Sequence, residues 1–254
     1  MPFGTLKTKE ARGPIPLCSP PYPVGLDEFT DITALVIQYH TTYDAVKDLV
    51  PEECELDDEP LVTLTLLGYG MGPIGAYNEF VSQVQVTWQG KKYTFAIELV
   101  LNNEGAIYAG RERWGIPKVM GNVVWDPSKI NSAPNGIITG HVERPAGCKL
   151  VQFGFKPEKK LQDWGPLNNP KRESLQLRSI PAANCHDPPV LREFIPTWFE
   201  MTHAEVWKGE GSIGLFNGSE FDPIHRLKVV RYVGAAMLRN ARAVLHPVTE
   251  TFAI

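Results

Sequence analysis

One lysine in this chain has a chemical address. Lys118 stands in the segment Gly110, Arg111, Glu112, Arg113, Trp114, Gly115, Ile116, Pro117, Lys118, Val119, Met120, wedged between two apolar pairs. Apolar surroundings penalise an ammonium ion and favour the neutral amine, which can attack a carbonyl and form a Schiff base. The competing reading is a stem that lies along apolar surface with its charged head in water. Arg111 and Glu112 read as charged neighbours that pair to hold the segment rather than as reacting groups. Gly110 and Gly115 supply the backbone freedom for a loop that turns Lys118 inward, and Trp114 either walls a pocket or packs in the core. Metal chemistry finds no support: His40, His141, His186, His203, His225 and His246 form no i,i+4 pair and have no acidic partner at ligand spacing. Residues 68–72, Gly-Tyr-Gly-Met-Gly, lack the lysine-serine and helix start of a phosphate loop and read as a mobile loop between strands near a pocket mouth.

The elements that would position Lys118 are mostly strands. Residues 32–39, 61–67, 80–88, 93–101, 119–125, 136–142 and 148–155 are rich in strand formers between polar or glycine-rich breaks, and further strands are expected at 173–180, 198–207, 212–216 and 227–232. In residues 80–88 the alternation places Val84, Val86 and Trp88 on one face and Gln83, Gln85 and Thr87 on the other. Such strands favour an antiparallel sheet closing into a barrel or sandwich. A short amphipathic helix is expected at 43–50, with Thr42 as its cap and Pro51 as its stop. Residues 10–30 form a proline-rich extended lead-in, residues 1–15 a loose start, and 156–171 a loop; no repeat or linker divides the chain, so a single domain over 1–254 is expected.

Composition narrows the function class. The 254 residues are 43% hydrophobic and 21% charged, values of an ordinary globular protein, and the net charge of -4 leaves no footprint for nucleic acid. No apolar stretch approaches the roughly 20 residues that span a bilayer, and the first ten residues lack the apolar run of a signal peptide. Cys18, Cys54, Cys148 and Cys185 lie far apart with no C-x-x-C pair, which suits free thiols and a cytoplasmic location.

The segment around Lys118 resembles the active-site segment of the acetoacetate decarboxylases, in which Gly-Arg-Glu is followed four residues later by Pro-Lys. Gly110-Arg111-Glu112 and Pro117-Lys118 stand at that spacing. The likeness is collinear from about residue 16 onward: Ser19-Pro20 with Pro23 and Gly25, Asp44-Ala45-Val46 running into Val50-Pro51-Glu52, Asp58-Glu59-Pro60-Leu61-Val62, Tyr77-Asn78-Glu79, and Glu205-Val206-Trp207 with Gly209 and Leu215-Phe216. Acetoacetate decarboxylase is itself a known case of an activated lysine. The resemblance implies a mainly β (α+β) fold, a closed barrel or β-cone with a few short peripheral helices. It also implies a homo-oligomer and a covalent Schiff base on Lys118, with no metal or organic cofactor. Glu79 takes the place of an active-site glutamate suited to carrying protons.

Three positions depart from the family pattern. Val119 replaces a second lysine, so an apolar pocket has to do the activating. Ile32 stands where the family has an active-site arginine, and Thr65 where it has a second glutamate. A pocket formed by Ile32, Thr65, Trp114, Ile116, Val119 and Met120 would be more apolar than the family's. The expected activity is therefore decarboxylation of a β-keto acid larger or less polar than acetoacetate. Two alternatives stay open: aldol, dehydration or cyclisation chemistry of the same lysine on a polyketide-like ketone, and a non-catalytic binding protein on this fold.

Overall fold

The computed structural model describes residues 1–25, 27–125, 136–161, 173–202, 204–216, 218 and 220–254. The chain is mainly β. Its strands are β1 (Asp27–His40), β2 (Leu61–Tyr69), β3 (Tyr77–Trp88), β4 (Lys91–Leu101), β5 (Lys118–Met120), β6 (Asn122–Trp125), β7 (Ile138–Glu143) and β8 (Lys149–Lys160). They continue as β9 (Ser174–Ile180), β10 (Leu191–Thr197), β11 (Phe199–Thr202), β12 (Glu205–Leu215), β13 (Arg231–Leu245) and β14 (Phe252–Ala253). Among the described residues two α-helices interrupt them, α1 (Tyr43–Val46) and α2 (Glu104–Trp114).

The fourteen strands among the described residues belong to one sheet ordered β14-β10-β9-β4-β3-β2-β1-β13-β12-β8-β7-β6, with β5 added to β4 and β11 to β13. The sheet is not the expected closed barrel: among the described residues the hydrogen-bonded path is open, ending at β14 and β6. The sheet curls far enough for a side chain to bridge from β3 to β6, since Asn78 Nδ2 donates to the carbonyls of Trp125 (2.9 Å) and Val123 (3.4 Å). Most pairs are antiparallel, but β4 runs parallel to both β5 and β9. The expected strand over 119–125 is two strands, because residues 118–120 pair with β4 and residues 122–125 with β7. Gly121 makes the switch where any Cβ would meet Val100 Cγ1 at 2.4 Å. The expected helix at 43–50 shortens to α1 and one 3-10 turn. The loop expected from 156 begins as the end of β8, and residues 162–171 lie outside the described residues.

Alternation along the central strands gives the sheet two apolar faces. On β2, Val62, Leu64 and Leu66 enter the main core, whereas Thr63, Thr65, Leu67 and Tyr69 face the opposite side. On β3, Phe80, Val84 and Val86 enter the same core, and Tyr77, Glu79, Val81 and Gln83 turn away from it. On β1, Leu35, Ile37 and Tyr39 are in the core and Ala34, Val36 and Gln38 are not. A period-2 strand that buries both faces must put something on each. Here one face holds the core and the other walls a cavity.

Candidate active site

Lys118 opens β5 beside Leu99 of β4, and its side chain enters the cavity on the second face. It is 8% exposed and Glu79 is 2% exposed, so both are shielded from bulk water. Lys118 Nζ lies 2.8 Å from Glu79 Oε1, and Tyr69 Oη donates to Glu79 Oε2 at 3.0 Å. The Lys118 ammonium also sits 6.0 Å from the centre of the Tyr77 ring. Both phenols are held well above their usual range, by burial first and then by the negative charge of Glu79. They therefore remain protonated, and Tyr69 serves Glu79 as a fixed donor. A carboxylate 2.8 Å away is placed to relay the proton that must leave the lysine before the amine attacks a carbonyl.

Helix α2 holds the lysine from behind. Its start is defined by Asn103, whose side chain accepts from the Ala106 N–H at 2.9 Å. Its end is defined by Gly115 at φ 69°, whose N–H bonds the Arg111 carbonyl in a left-handed cap. The sequence placed Gly110-Arg111-Glu112 in a loop; the structure places all three on this helix. Gly110 is therefore needed for space and not for a turn. A Cβ there would lie 2.6 Å from Lys118 Cδ and 2.8 Å from Lys118 Cε.

Arg111 and Glu112 act on the frame. Arg111 Nη1 donates to the Lys118 carbonyl at 3.2 Å, and Glu112 accepts from Tyr22 Oη at 2.7 Å, pinning the proline-rich lead-in against the helix. Arg178 closes the other end by donating to the carbonyls of Glu112 (3.2 Å) and Arg113 (3.0 Å).

The cavity measures about 350 Å³. Near the lysine its wall is Tyr69, Tyr77, Leu99 and Ile116; its middle is Thr65, Leu67, Val81 and Ala96; Phe199, Met201, Leu238 and Leu245 contribute further apolar surface. Among the described residues, Lys118 and Glu79 are the only charged groups in that wall. A second, smaller space of about 40 Å³ lies on the helix side of Lys118, against Tyr22, Asp27, Gly110 and Trp114. There the Asp27 carboxyl, raised by burial despite the opposing Arg113 and Lys118 charges, is held by Arg113 at 3.0 Å.

Six positions were expected in the pocket wall, and they divide. Thr65 and Ile116 line the cavity, and Trp114 lines the smaller space with Ile116. Ile32 does not: it is fully buried in the apolar cluster that includes Leu67 and Ala241, where β1 slips register on both sides of it. Val119 is turned to the main core because strand neighbours face opposite ways. Met120 is 56% exposed at the end of β5. Tyr69 was hidden in the glycine-rich run at 68–72 and read as loop; it ends β2 and touches Glu79. The regular alternation of Thr63, Thr65, Leu67 and Tyr69 was the signal that could have found it. His203 lies outside the described residues, and no cluster of metal-ligating side chains occurs among the described ones.

The chain is similar to known proteins along nearly its whole length. The acetoacetate decarboxylase (ADC) family model matches residues 14–250. The decarboxylase DEC1 of Cochliobolus heterostrophus is 34% identical over 240 residues, covering 94% of each chain. Acetoacetate decarboxylase 2 of Mesorhizobium japonicum is 38% identical over 224 residues, covering 87% of this chain and 82% of its own. Among solved structures, an acetoacetate decarboxylase superposes with a TM-score of 0.83 at 24% identity over 98% of both chains, a likeness of fold. The enzyme from Legionella pneumophila gives 0.77 at 20% identity, covering 100% of this chain and 98% of its own.

Proposed function

This chain belongs to the acetoacetate decarboxylase family and is a carbon-carbon lyase of the decarboxylating kind, and we propose that it decarboxylates a β-keto acid larger or less polar than acetoacetate through an imine on Lys118. The observation that carries this reading is the Lys118–Glu79 pair, 2.8 Å apart at the wall of a largely apolar cavity. Glu79 takes a proton from the lysine, and the neutral amine adds to the ketone carbon. Loss of water forms the iminium. The bond between the α-carbon and the carboxylate then breaks, carbon dioxide leaves, and the bonding pair moves into the iminium to give an enamine. Protonation of the enamine carbon, with Glu79 as the nearest acid, and hydrolysis release the ketone and restore Lys118. The electron sink is the iminium itself, so the sequence requires no metal or organic cofactor.

A wall with no charge beyond the Lys118–Glu79 pair among the described residues suits this step. The substrate carboxylate loses its charge as carbon dioxide forms, so a cation at that position would stabilise the ground state more than the transition state. An apolar wall gives no such ground-state advantage. The absence of an arginine from the described wall is thus compatible with decarboxylation, and the volume favours a tail longer than a methyl group. A homo-oligomer acting in the cytoplasm on a small-molecule keto acid, without nucleic acid or membrane, completes the proposal. Among the described residues no helix is long and apolar enough to cross a membrane.

Borohydride reduction in the presence of medium-chain β-keto acids should fix a substrate adduct on Lys118, and carbon dioxide should be released without borohydride. Lys118→Met should lose both, with activity down by a factor of about 10⁴ or more, the scale of losing a covalent nucleophile. Turnover of ketones through an imine without carbon dioxide would move the chain to aldol or cyclisation chemistry. No adduct with any turned-over substrate would remove the Schiff base altogether.

A further inference from the structure

The far end of the Lys118 cavity differs in kind from the rest. Gln38, Thr63, Gln83, Thr94, Ser174 and Gln176 bring uncharged polar side chains to a space whose middle is aliphatic apart from the Thr65 hydroxyl. Most of them satisfy one another. Gln38 Nε2 donates to Thr63 Oγ1 at 3.1 Å, Gln83 Nε2 to Ser174 Oγ at 3.3 Å, and the Thr94 and Ser174 hydroxyls lie 2.7 Å apart. Thr197 adds a hydrogen bond from its hydroxyl to the Ser174 carbonyl at 3.2 Å. One acceptor is left over. Gln176 is only 3% exposed, and its Oε1 is buried with no hydrogen-bond partner. A buried carbonyl oxygen without a donor is costly, which points to a partner arriving from outside the chain.

The register says how far that acceptor is from the chemistry. Leu99 of β4 is level with Lys118, and Thr94 is level with Ser174 on the parallel strand β9. Gln176, two residues beyond Ser174, is therefore about three strand residues from the lysine, roughly 10 Å at ~3.3 Å per residue. The intervening wall of Val81, Ala96 and Leu99 offers only hydrocarbon. A straight alkyl tail would fill that middle and strand the Gln176 oxygen against a methyl group. A tail with a hydroxyl at its far end would fill the same space and, once the Gln176 amide turns its oxygen toward the cavity, donate to it.

We propose that Gln176 is a specificity-determining residue and that the substrate is a medium-chain β-keto acid carrying a hydroxyl group distal to its keto group. This rests on the decarboxylase reading above and adds the chemistry of the tail. Discrimination should be substantial, because a site built around a substrate hydroxyl is left with an unpaired buried group by the analogue that lacks it.

The test separates the tail from the reaction. Calorimetric binding of a matched pair of medium-chain methyl ketones, the decarboxylation products, with and without a distal hydroxyl, reads the tail alone. Wild type should bind the hydroxylated ketone about tenfold more tightly, the scale of one neutral hydrogen bond gained against a buried acceptor left empty. Gln176→Leu should bind the plain ketone as well or better and lose the preference, and Gln176→Glu, an acceptor of the same shape, should keep part of it. Equal affinity of the pair for wild type, binding of neither, or an unchanged preference in Gln176→Leu overturns the proposal. Carbon dioxide release from the corresponding keto acids is scored separately: binding discrimination without carbon dioxide would sink the decarboxylase reading and leave the hydroxyl site standing.

Discussion

At the scale of single residues, the position of the reactive amine depends on a side chain that is missing. Lys118 crosses helix α2 at Gly110, with its Cδ and Cε in the space a β-carbon would take. Replacing Gly110 with alanine should therefore separate stability from activity. An alanine inside a helix is favoured over glycine by about 1 kcal/mol, and the obstructing atoms belong to the flexible end of a lysine, so the fold should survive with unchanged or slightly raised thermal stability. The amine, however, would be pushed off its 2.8 Å contact with Glu79. A misplacement of this size costs on the order of 10²-fold in rate. Steady-state decarboxylation and a thermal melt on Gly110→Ala check both halves; unchanged kcat with a lowered melting temperature would refute the argument. The same residues mark what the sequence could show. Lys118 and Glu79 carried signals of type and spacing, and they do meet. Tyr69 carried only the weaker signal of strand alternation, which three neighbouring glycines masked at the end of β2. Ile32 was assigned to the wall by counting residues, and counting fails where Asp31 at φ 53° and two register slips rotate the strand.

Elements were legible where alternation was strong and illegible where small residues replaced it. Strands β2, β3 and β4 stand within a few residues of their expected bounds. Helix α2 was missed although its signals were present: Asn103 at the start, Arg111 and Arg113 in the last turn, and Gly115 just past the end. Its buried stripe is Ala106, Ala109, Gly110 and Trp114, in which a single large residue does not register as a hydrophobic face, and Gly110 is small because the lysine stem lies on it. Strand β13 hid for the opposite reason. Its alanines favour a helix by propensity, and long pairings with β1 and β12 override that preference. The end of α2 offers a sharp test of how the element is held. Gly115 has φ 69°, and a β-carbon there would lie 2.5 Å from Arg178 Cα and 2.6 Å from Arg178 N, atoms that cannot move without β9. Gly115→Ala should thus cost roughly 2 kcal/mol or more from the left-handed backbone and the contact together. Urea denaturation measures it through a lowered midpoint at constant slope. A midpoint within error of wild type would mean that the cap is not what ties α2 to the sheet.

Over the whole molecule, a buried acidic cluster far along the sheet links parts of the chain that are distant in sequence. Glu98 of β4, Arg144 after β7 and Asp222 before β13 meet, with Arg144 Nε 3.0 Å from Asp222 Oδ1 and 3.8 Å from Glu98 Oε1. Burial pushes the Glu98 carboxyl up from 4.5 to about 8, helped by its hydrogen bond to Asp222 and the charge of that neighbour, against the opposing pull of Arg144. Folding therefore holds a proton on Glu98 that the unfolded chain releases. For a carboxyl whose value is raised on folding, the stability it contributes is complete below about pH 4.5 and is lost as the pH climbs through about 8. Wild type should accordingly lose thermal stability between pH 5 and pH 8.5. Glu98→Gln, neutral at every pH and nearly the same shape, should lose less over that window. A difference of a few kcal/mol between the two would appear as a melting-temperature gap that widens by about 5 °C toward alkaline pH, at ~2–4 °C per kcal/mol for a chain of this size. Differential scanning calorimetry across the window decides it, and parallel curves for the two proteins would show that Glu98 carries no proton into the fold. The variant should still form the Lys118 adduct at every pH where it is folded, because Glu98 does not line the Lys118 cavity; only the alkaline limit of its stability should move.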